Sequence, residues 1–368
     1  MSNSLNKELQ SNAPLRGLGV GIIGGAGYTG GELLRILVNH PNVEIDFIHS
    51  NSNAGNLISD VHTDLLGDTD LKFTDQLSQN IDVLFLCVGH GDARKFLEAN
   101  PISDNIKIID LSQDFRLKES SQKPFISEKP KAESQKQLNE SENQPSAFSH
   151  EPSAFIYGLP ELNKEAIKTA QNIANPGCFA TCLQLALLPL AKAGLLKSEV
   201  HISATTGSTG AGQKPGSTTH FSWRNNNLSV YKAFEHQHLN EIGESLIQLQ
   251  EDFAHDINFV PYRGAFSRGI MASAYIECDL SLEEAEKLYQ DFYADAPFTH
   301  ISKTNIDLKQ VVNTNKCLIH LEKHGNKLMI LSIIDNLLKG ASGQAVQNMN
   351  LMFGLDEKAG LRLKASCF

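Results

Sequence analysis

The stretch Asn172-Ile-Ala-Asn-Pro-Gly-Cys-Phe-Ala-Thr-Cys182 can do covalent chemistry. It reads as a strand end, a tight Pro176-Gly177 turn and then a helix. The run from Leu183 to Ala193 is apolar and made mostly of strong helix formers. Cys178 is thereby placed at a helix N-terminus, where unpaired backbone N–H groups and the positive dipole end favour a thiolate. A thiolate is a nucleophile. On position alone Cys178 reads equally well as a small buried hydrophobe, the usual fate of a free cysteine. Cys182, one helical turn on, has only that second reading.

A nucleophile of this kind needs a proton acceptor. Phe234-Glu-His-Gln-His-Leu-Asn-Glu-Ile242 opens an amphipathic helix and supplies His236 and His238, with Glu241 behind them. Histidine titrates near neutral pH, so general acid/base work is the natural reading. His236 is taken first and His238 as its alternative. Glu241 is an orienter or a substrate contact. The pair at i, i+2 has no further ligand at metal-binding spacing, so no metal is expected. Arg116 and Arg268 are candidates for a substrate carboxylate or phosphate, since a guanidinium grips either. The loop Thr206-Gly-Ser-Thr-Gly-Ala-Gly212 is rich in N–H and hydroxyl groups. Ser208 and Gly210 within it suit an anion.

The elements that must hold these residues follow from the rest of the chain. Val20 to Ile23 reads as a short buried strand. Gly24, Gly27 and Gly30 make G-x-x-G-x-x-G, and a helix follows from Glu32 to Val38. A glycine turn between strand and helix lets a pyrophosphate approach the backbone and sit on the helix N-terminus. Tyr28 and Thr29 complete that turn. Strands are also expected at Val43–His49, Asp82–Val88 and Ile106–Asp110. Alternating strands and helices predict an α/β fold, a Rossmann-type doubly wound parallel sheet. At the end of the second strand, Ser50-Asn-Ser-Asn53 carries no acid. Ser50 and Ser52 can donate to a 2′-phosphate, which a carboxylate would repel, so NADP(H) is expected over NAD(H). No arginine stands there to reinforce it.

Beyond the cysteine helix, strands are expected at Glu199–Thr205, 257–279 and 300–312. A hairpin from Cys317 to Ser332 turns about His324-Gly-Asn326, and a helix spans 281–292. Trp223 to Tyr231 reads as irregular. This is a second α+β domain with a mixed or antiparallel sheet. Residues 335–350 begin as a turn and become a helix that returns to the first domain. The expected division is 17–177 for the dinucleotide, 178–334 for catalysis, substrate and oligomerisation, and 335–368 for the returning C-terminal helix. Residues 1–16 and 118–153 lose apolar periodicity. The second segment reads as a flexible insertion in which Pro-Ser-Ala-Phe occurs twice.

Composition sets outer bounds. A chain of 368 residues exceeds one ordinary core. A net charge of −10 argues against nucleic acid. The six cysteines form neither a disulfide framework nor a C-x-x-C zinc pair. The polar first residues do not read as a signal peptide, and no apolar run is long enough to span a membrane. A soluble cytoplasmic enzyme is the expectation.

With these segments in place, the chain resembles the N-acetyl-gamma-glutamyl-phosphate reductases, which belong with the aspartate-semialdehyde dehydrogenases. The resemblance rests on GIIGGAGYTG (21–30), DLSQDFRL (110–117), YGLPEL (157–162), ANPGCFAT (174–181), TTGSTGAG (205–212), HQHLNEI (236–242) and DNLLKGASGQAVQNMN (335–350). They occur in the family's order over nearly the whole chain outside 118–153. Phe179 stands where the family usually has tyrosine. The resemblance implies NADPH-dependent reductive dephosphorylation of N-acetyl-glutamyl phosphate in arginine biosynthesis, with release of inorganic phosphate. It makes Cys178 the nucleophile and puts the proton-transfer histidine in HQH. It places Asn175 at the substrate, and Asn336 and Gln344 in a segment closing over the cofactor. It also implies a homotetramer. The same chemistry on a succinyl-glutamyl, amino-adipyl or aspartyl phosphate is the alternative. A nucleotide-binding protein without turnover is the reading of a different class.

Overall fold

A computed structural model describes residues 17–117 and 154–366. The expectations for residues 1–16 and 118–153 lie outside the described residues.

The first sheet is built from β1 (Leu18–Ile23), β2 (Val43–His49), β3 (Val83–Leu86), β4 (Lys107–Asp110), β5 (Phe155–Tyr157) and β6 (Asn172–Ala174). Every pairing is parallel and the order is β2-β1-β3-β4-β6-β5. β1 and β3 are buried along their whole length, as strands covered on both faces must be. Helices α1 (Tyr28–Leu37), α2 (Asp92–Ala99) and α3 (Pro160–Thr169) connect them. Chain order reverses at β1, whose neighbours are β2 and β3, and open α/β sheets bind ligands at such a switch point.

The central helix α4 (Cys178–Lys192) leads out of β6 through the Pro176-Gly177 turn. Thirteen of its residues, from Phe179 to Ala191, are buried, so it is a core helix rather than a surface one. It packs between α6 (His238–Leu249) and the second sheet. That sheet contains β7 (Val200–Thr206), β8 (Ser229–Val230), β9 (Ile257–Arg263), β10 (Ile270–Glu277), β11 (Thr299–Ser302), β12 (Cys317–His324) and β13 (Lys327–Ile334). Its order is β11-β12-β13-β10-β7-β9-β8, with β11-β12 and β7-β9 parallel and the other pairs antiparallel, a mixed sheet. β7 and β10 alternate buried and more open positions, which turns one face to α4. Short α5 (Phe221–Arg224) and the longer α7 (Leu282–Phe292) complete this half.

The chain then returns. Leu338–Ser342 forms a π-turn that runs into α8 (Gly343–Met352). Leu338, Val346, Met349 and Met352 share one apolar cluster with Val20, Ile22, Phe85 and Ile173 of the first sheet. Two expectations change. Residues 300–312 hold strand only at Thr299–Ser302, after which Asp307 caps a 3₁₀ turn at Leu308–Gln310. Within Trp223–Tyr231, β8 and the end of α5 are regular, because the buried Arg224 bonds the carbonyls of Asn227 and Arg263. No helix among the described residues is long and apolar enough to cross a membrane.

Candidate active site

Cys178 is the first residue of α4, with Gly177 as its N-cap, and its side chain is half-buried. Burial is the largest influence on the thiol and pushes it up to about 11, against the opposing pull of the Phe179 N–H and the Arg116 guanidinium. This corrects the expectation of a standing thiolate: the helix terminus is present, but desolvation outweighs it. The thiol therefore needs a base.

His238 is the first residue of α6. A Cβ built on Gly177 would fall 2.4 Å from His238 Nε2, so the imidazole lies against the residue before the nucleophile. The same Nε2 is 3.7 Å from Glu241 Oε1. His238 Nδ1 is buried and has no hydrogen-bond partner among the described residues. His236 is placed differently. It packs edge-on against Phe179, Phe259 and Tyr231, and its Nδ1 accepts the His238 backbone N–H at 3.3 Å. His238, and not His236, is thus the imidazole beside Gly177, because helical geometry turns His238 and Glu241 to the same face, three residues apart. Burial drives both imidazoles down, His236 to about 3 and His238 well below its ordinary value. Both are neutral near pH 7.

Glu241 is 4% exposed and both its oxygens are used by protein groups. Oε1 accepts from Arg116 Nη1 at 3.1 Å, while Oε2 accepts from the Tyr157 hydroxyl and the Gly177 N–H, each at 3.0 Å. Gln184 on α4 donates to Tyr157, to the Glu241 carbonyl and to Ser245. Glu241 thereby ties together Arg116, Tyr157 and the Gly177 backbone. Tyr157 and Gln184 were not singled out from the sequence. Tyr157 lies in the conspicuous YGLPEL stretch, and a glutamine in the apolar α4 run was the available signal for Gln184.

Arg116 also donates to the Leu111 carbonyl at 2.9 Å, and its Nε has no partner among the described residues. It lines a cavity of about 580 Å³ together with His90, Arg94, Lys95, Asn240 and Glu241. Three cations, Arg94, Lys95 and Arg116, stand against two carboxylates, Asp114 and Glu241, in its lining, a surplus that suits an anionic small molecule.

The remaining predicted contacts fall into two groups. The dinucleotide turn is formed as expected. Gly24 has φ 78° and faces the Cys87 carbonyl at 2.4 Å from an ideal Cβ; the corresponding atom on Gly30 would meet Gly25 Cα at 2.7 Å. Tyr28 and Thr29 open α1, which has no side-chain cap and no acid in its first turn. Its N-terminal N–H groups suit a pyrophosphate. Ser50 and Ser52 both accept from Asn53 Nδ2 at 3.1 Å beyond β2, where no carboxylate stands. These residues fit NADP(H).

Other predicted contacts make hydrogen bonds within the protein. Asn175 donates to the Ala341 carbonyl and accepts from Asn348. Asn336 accepts from the Gly269 N–H and donates to Thr209 Oγ1. Gln344 is fully buried and donates to Thr181 on α4. Arg268 pairs with Glu32 and Asp335. Ser208 and Gly210 lie on a short 3₁₀ turn beside Thr206 and Asn336.

Comparison with known proteins decides the family. Family models described as the semialdehyde dehydrogenase NAD binding domain and dimerisation domain match residues 19–170 and 178–336. An N-acetyl-gamma-glutamyl-phosphate reductase of Phocaeicola vulgatus is 58% identical over 349 residues, 95% of this chain and 99% of its own length. The chain belongs to the N-acetyl-gamma-glutamyl-phosphate reductase family of semialdehyde dehydrogenases. The reductase of Flavobacterium johnsoniae is 55% identical over 351 residues, covering 95% of this chain and all of its own length. The fold also matches aspartate semialdehyde dehydrogenase II of Vibrio cholerae, with a TM-score of 0.64 at 15% identity over 92% of this chain and 99% of that one. Membership in this reductase family makes the chain an oxidoreductase of amino-acid biosynthesis.

Proposed function

We propose that this enzyme reduces N-acetyl-L-glutamyl 5-phosphate to N-acetyl-L-glutamate 5-semialdehyde with NADPH, releasing inorganic phosphate. The observation that carries the reading is the junction at Gly177. Cys178 follows it, His238 Nε2 lies against it, and Glu241 holds both its N–H and Arg116.

The residues divide the work as follows. The neutral His238 imidazole accepts the Cys178 proton as Sγ attacks the acyl-phosphate carbonyl. The carbon–sulfur bond forms, the carbon–oxygen bond to phosphate breaks, and phosphate leaves. Glu241 stabilises the imidazolium that results. The N–H groups at the start of α4 stand beside the developing oxyanion and oppose its charge. The glycine turn Gly24–Gly30 would hold NADPH, which would supply hydride to the thioester carbonyl carbon. When the carbon–sulfur bond breaks, the imidazolium returns its proton to Sγ and the semialdehyde is freed. Arg116, Arg94 and Lys95 bind the anionic ends of the substrate in the cavity of about 580 Å³.

In this reading residues 17–177 bind the cofactor, 178–334 carry catalysis and self-association, and 335–368 close the two together. The protein works in the cytoplasm as a homo-oligomer. Phosphate-dependent oxidation of N-acetyl- and N-succinyl-glutamate semialdehyde by NADP⁺, assayed side by side, tests the substrate. A higher kcat/KM for the acetyl compound is expected. A higher value for the succinyl compound would replace the acyl group in this proposal while leaving the chemistry.

A further inference from the structure

Arg268 lies at the centre of a closed ring of contacts that joins the cofactor helix to the nucleophile. Its Nη2 donates to Glu32 Oε2 at 3.0 Å, and its Nη1 donates to Glu32 Oε1. Glu32 lies on α1, the helix whose N-terminus closes the glycine turn. The other edge of the same guanidinium meets Asp335, with Nε to Oδ2 at 3.1 Å and Nη2 to Oδ1 at 3.2 Å. Asp335 is fully buried and in turn holds backbone. Its Oδ1 accepts the N–H groups of Leu337 and Leu338 at 2.8 and 3.2 Å, and its Oδ2 accepts that of Asn313 at 2.7 Å.

These bonds fix the π-turn Leu338–Ser342. Gly340 of that turn packs so closely on the nucleophile that an added Cβ would lie 2.8 Å from Cys178 Cβ. The ring closes where Ser342 Oγ donates to the Thr29 carbonyl at 2.8 Å, in the first turn of α1. Arg35 also donates to Glu32 at 2.9 Å, so both Glu32 oxygens are paired.

We propose that Glu32, Arg268 and Asp335 are positioning residues that set the reach between the glycine turn on α1 and Cys178 on α4. The proposal rests on the reading of the chain as a thioester-forming reductase. The path from Glu32 runs through Arg268 and Asp335 and meets the nucleophile only through the π-turn, at the Gly340–Cys178 contact and the Asn175–Ala341 hydrogen bond. Its charged members, Glu32, Arg268 and Asp335, touch α1 and the π-turn and not Cys178 itself, so disturbing them acts on hydride transfer from the cofactor turn more than on acylation of Cys178. Arg268 is suited to the task because its planar fork engages two carboxylates at fixed angles, which an ammonium cannot do.

The experiment separates the two half-reactions in Glu32→Gln, Arg268→Lys and the milder Ser342→Ala. Acylation is followed without NADPH, by quenched-flow intact mass of the enzyme mixed with N-acetyl-glutamyl phosphate. Reduction is followed as NADPH oxidation, with a deuterium isotope effect from NADPH labelled at the transferred position. Thermal unfolding and NADPH fluorescence titration report folding and cofactor affinity. Acylation is expected within about twofold of wild type. Turnover is expected to fall about a hundredfold in Glu32→Gln, the loss that a misplacement of roughly 1 Å produces. The isotope effect should rise as hydride transfer becomes limiting, and Arg268→Lys should fall short of rescue. Equal loss in both half-reactions, or an unchanged isotope effect, overturns the proposal. Should the first two variants fail to fold, Ser342→Ala decides on the same readouts. A wild-type enzyme that forms no acyl-enzyme would instead refute the thioester reading beneath it.

Discussion

Glu241 Oε2 accepts the backbone N–H of Gly177 at 3.0 Å. One carboxylate on α6 thereby anchors the turn that delivers the nucleophile, and its other oxygen faces His238 and Arg116. The helix carrying His238 and the helix carrying Cys178 share a single buried charge. This makes Glu241 the residue whose loss reaches farthest. Glu241→Ala leaves Arg116 buried without its partner, and removing one member of such a pair destabilises by roughly 3–5 kcal/mol. Denaturant unfolding should show that loss, with Glu241→Gln milder because the amide oxygen still accepts a hydrogen bond. Wild-type stability in the alanine variant would refute this account of the site.

The buried histidines set the response to acid. His236 titrates at about 3 in the folded chain against an ordinary 6.5, chiefly because burial disfavours the imidazolium. Between those values the unfolded chain binds the extra proton, so stability falls as pH drops from 6.5 towards 3. His238 acts in the same direction. Asp110 opposes them: burial pushes its carboxyl up from 3.8 to about 6, so its contribution is present at low pH and lost as pH rises through 6. Urea midpoints measured across this range should fall on acidification. His236→Gln should flatten the fall and Asp110→Asn should steepen it. The opposite ordering of the two variants would show that burial does not control these groups.

Much of this was legible in the sequence, for identifiable reasons. The glycine turn, the parallel strands and the placing of Cys178 at a helix start follow from local patterns that tertiary packing did not override. That His238 rather than His236 lies against Gly177 was not legible, because it depends on which face of α6 turns to Gly177. Spacing did hold a clue, since His238 and Glu241 are three apart and share a face. The ion pairs of Arg268 were not legible because its partners, Glu32 and Asp335, are 236 and 67 residues away. The raised Cys178 thiol was hidden for the same kind of reason. The helix dipole is a local property, whereas burial comes from Gly340 and the second sheet.

Replacement of the nucleophile separates binding from chemistry. Cys178→Ser keeps nearly the same volume at the start of α4 and should fold with an unchanged unfolding midpoint. NADPH affinity by fluorescence titration should also be retained, because the glycine turn lies on α1. Turnover should fall by at least about a thousandfold, since a serine hydroxyl is far harder to ionise than a thiol beside the same imidazole. Activity within tenfold of wild type, a modest loss on the scale of such effects, would rule out a thioester route.

Two glycines of the first turn should respond in opposite ways. A Cβ on Gly27 meets only the Gly24 carbonyl, at an ordinary 3.7 Å, and otherwise stands in the open space above the turn. A Cβ on Gly30 would lie 2.7 Å from Gly25 Cα, where backbone must move. Gly27→Ala is therefore expected to keep its melting temperature while weakening NADPH, by placing a methyl group where the pyrophosphate needs close approach. Gly30→Ala should lose melting temperature first, because it separates α1 from the strand turn, and cofactor affinity only as a consequence. Calorimetry paired with NADPH titration on both variants reads the contrast. Normal NADPH affinity in Gly27→Ala would place the pyrophosphate elsewhere than on the N-terminus of α1.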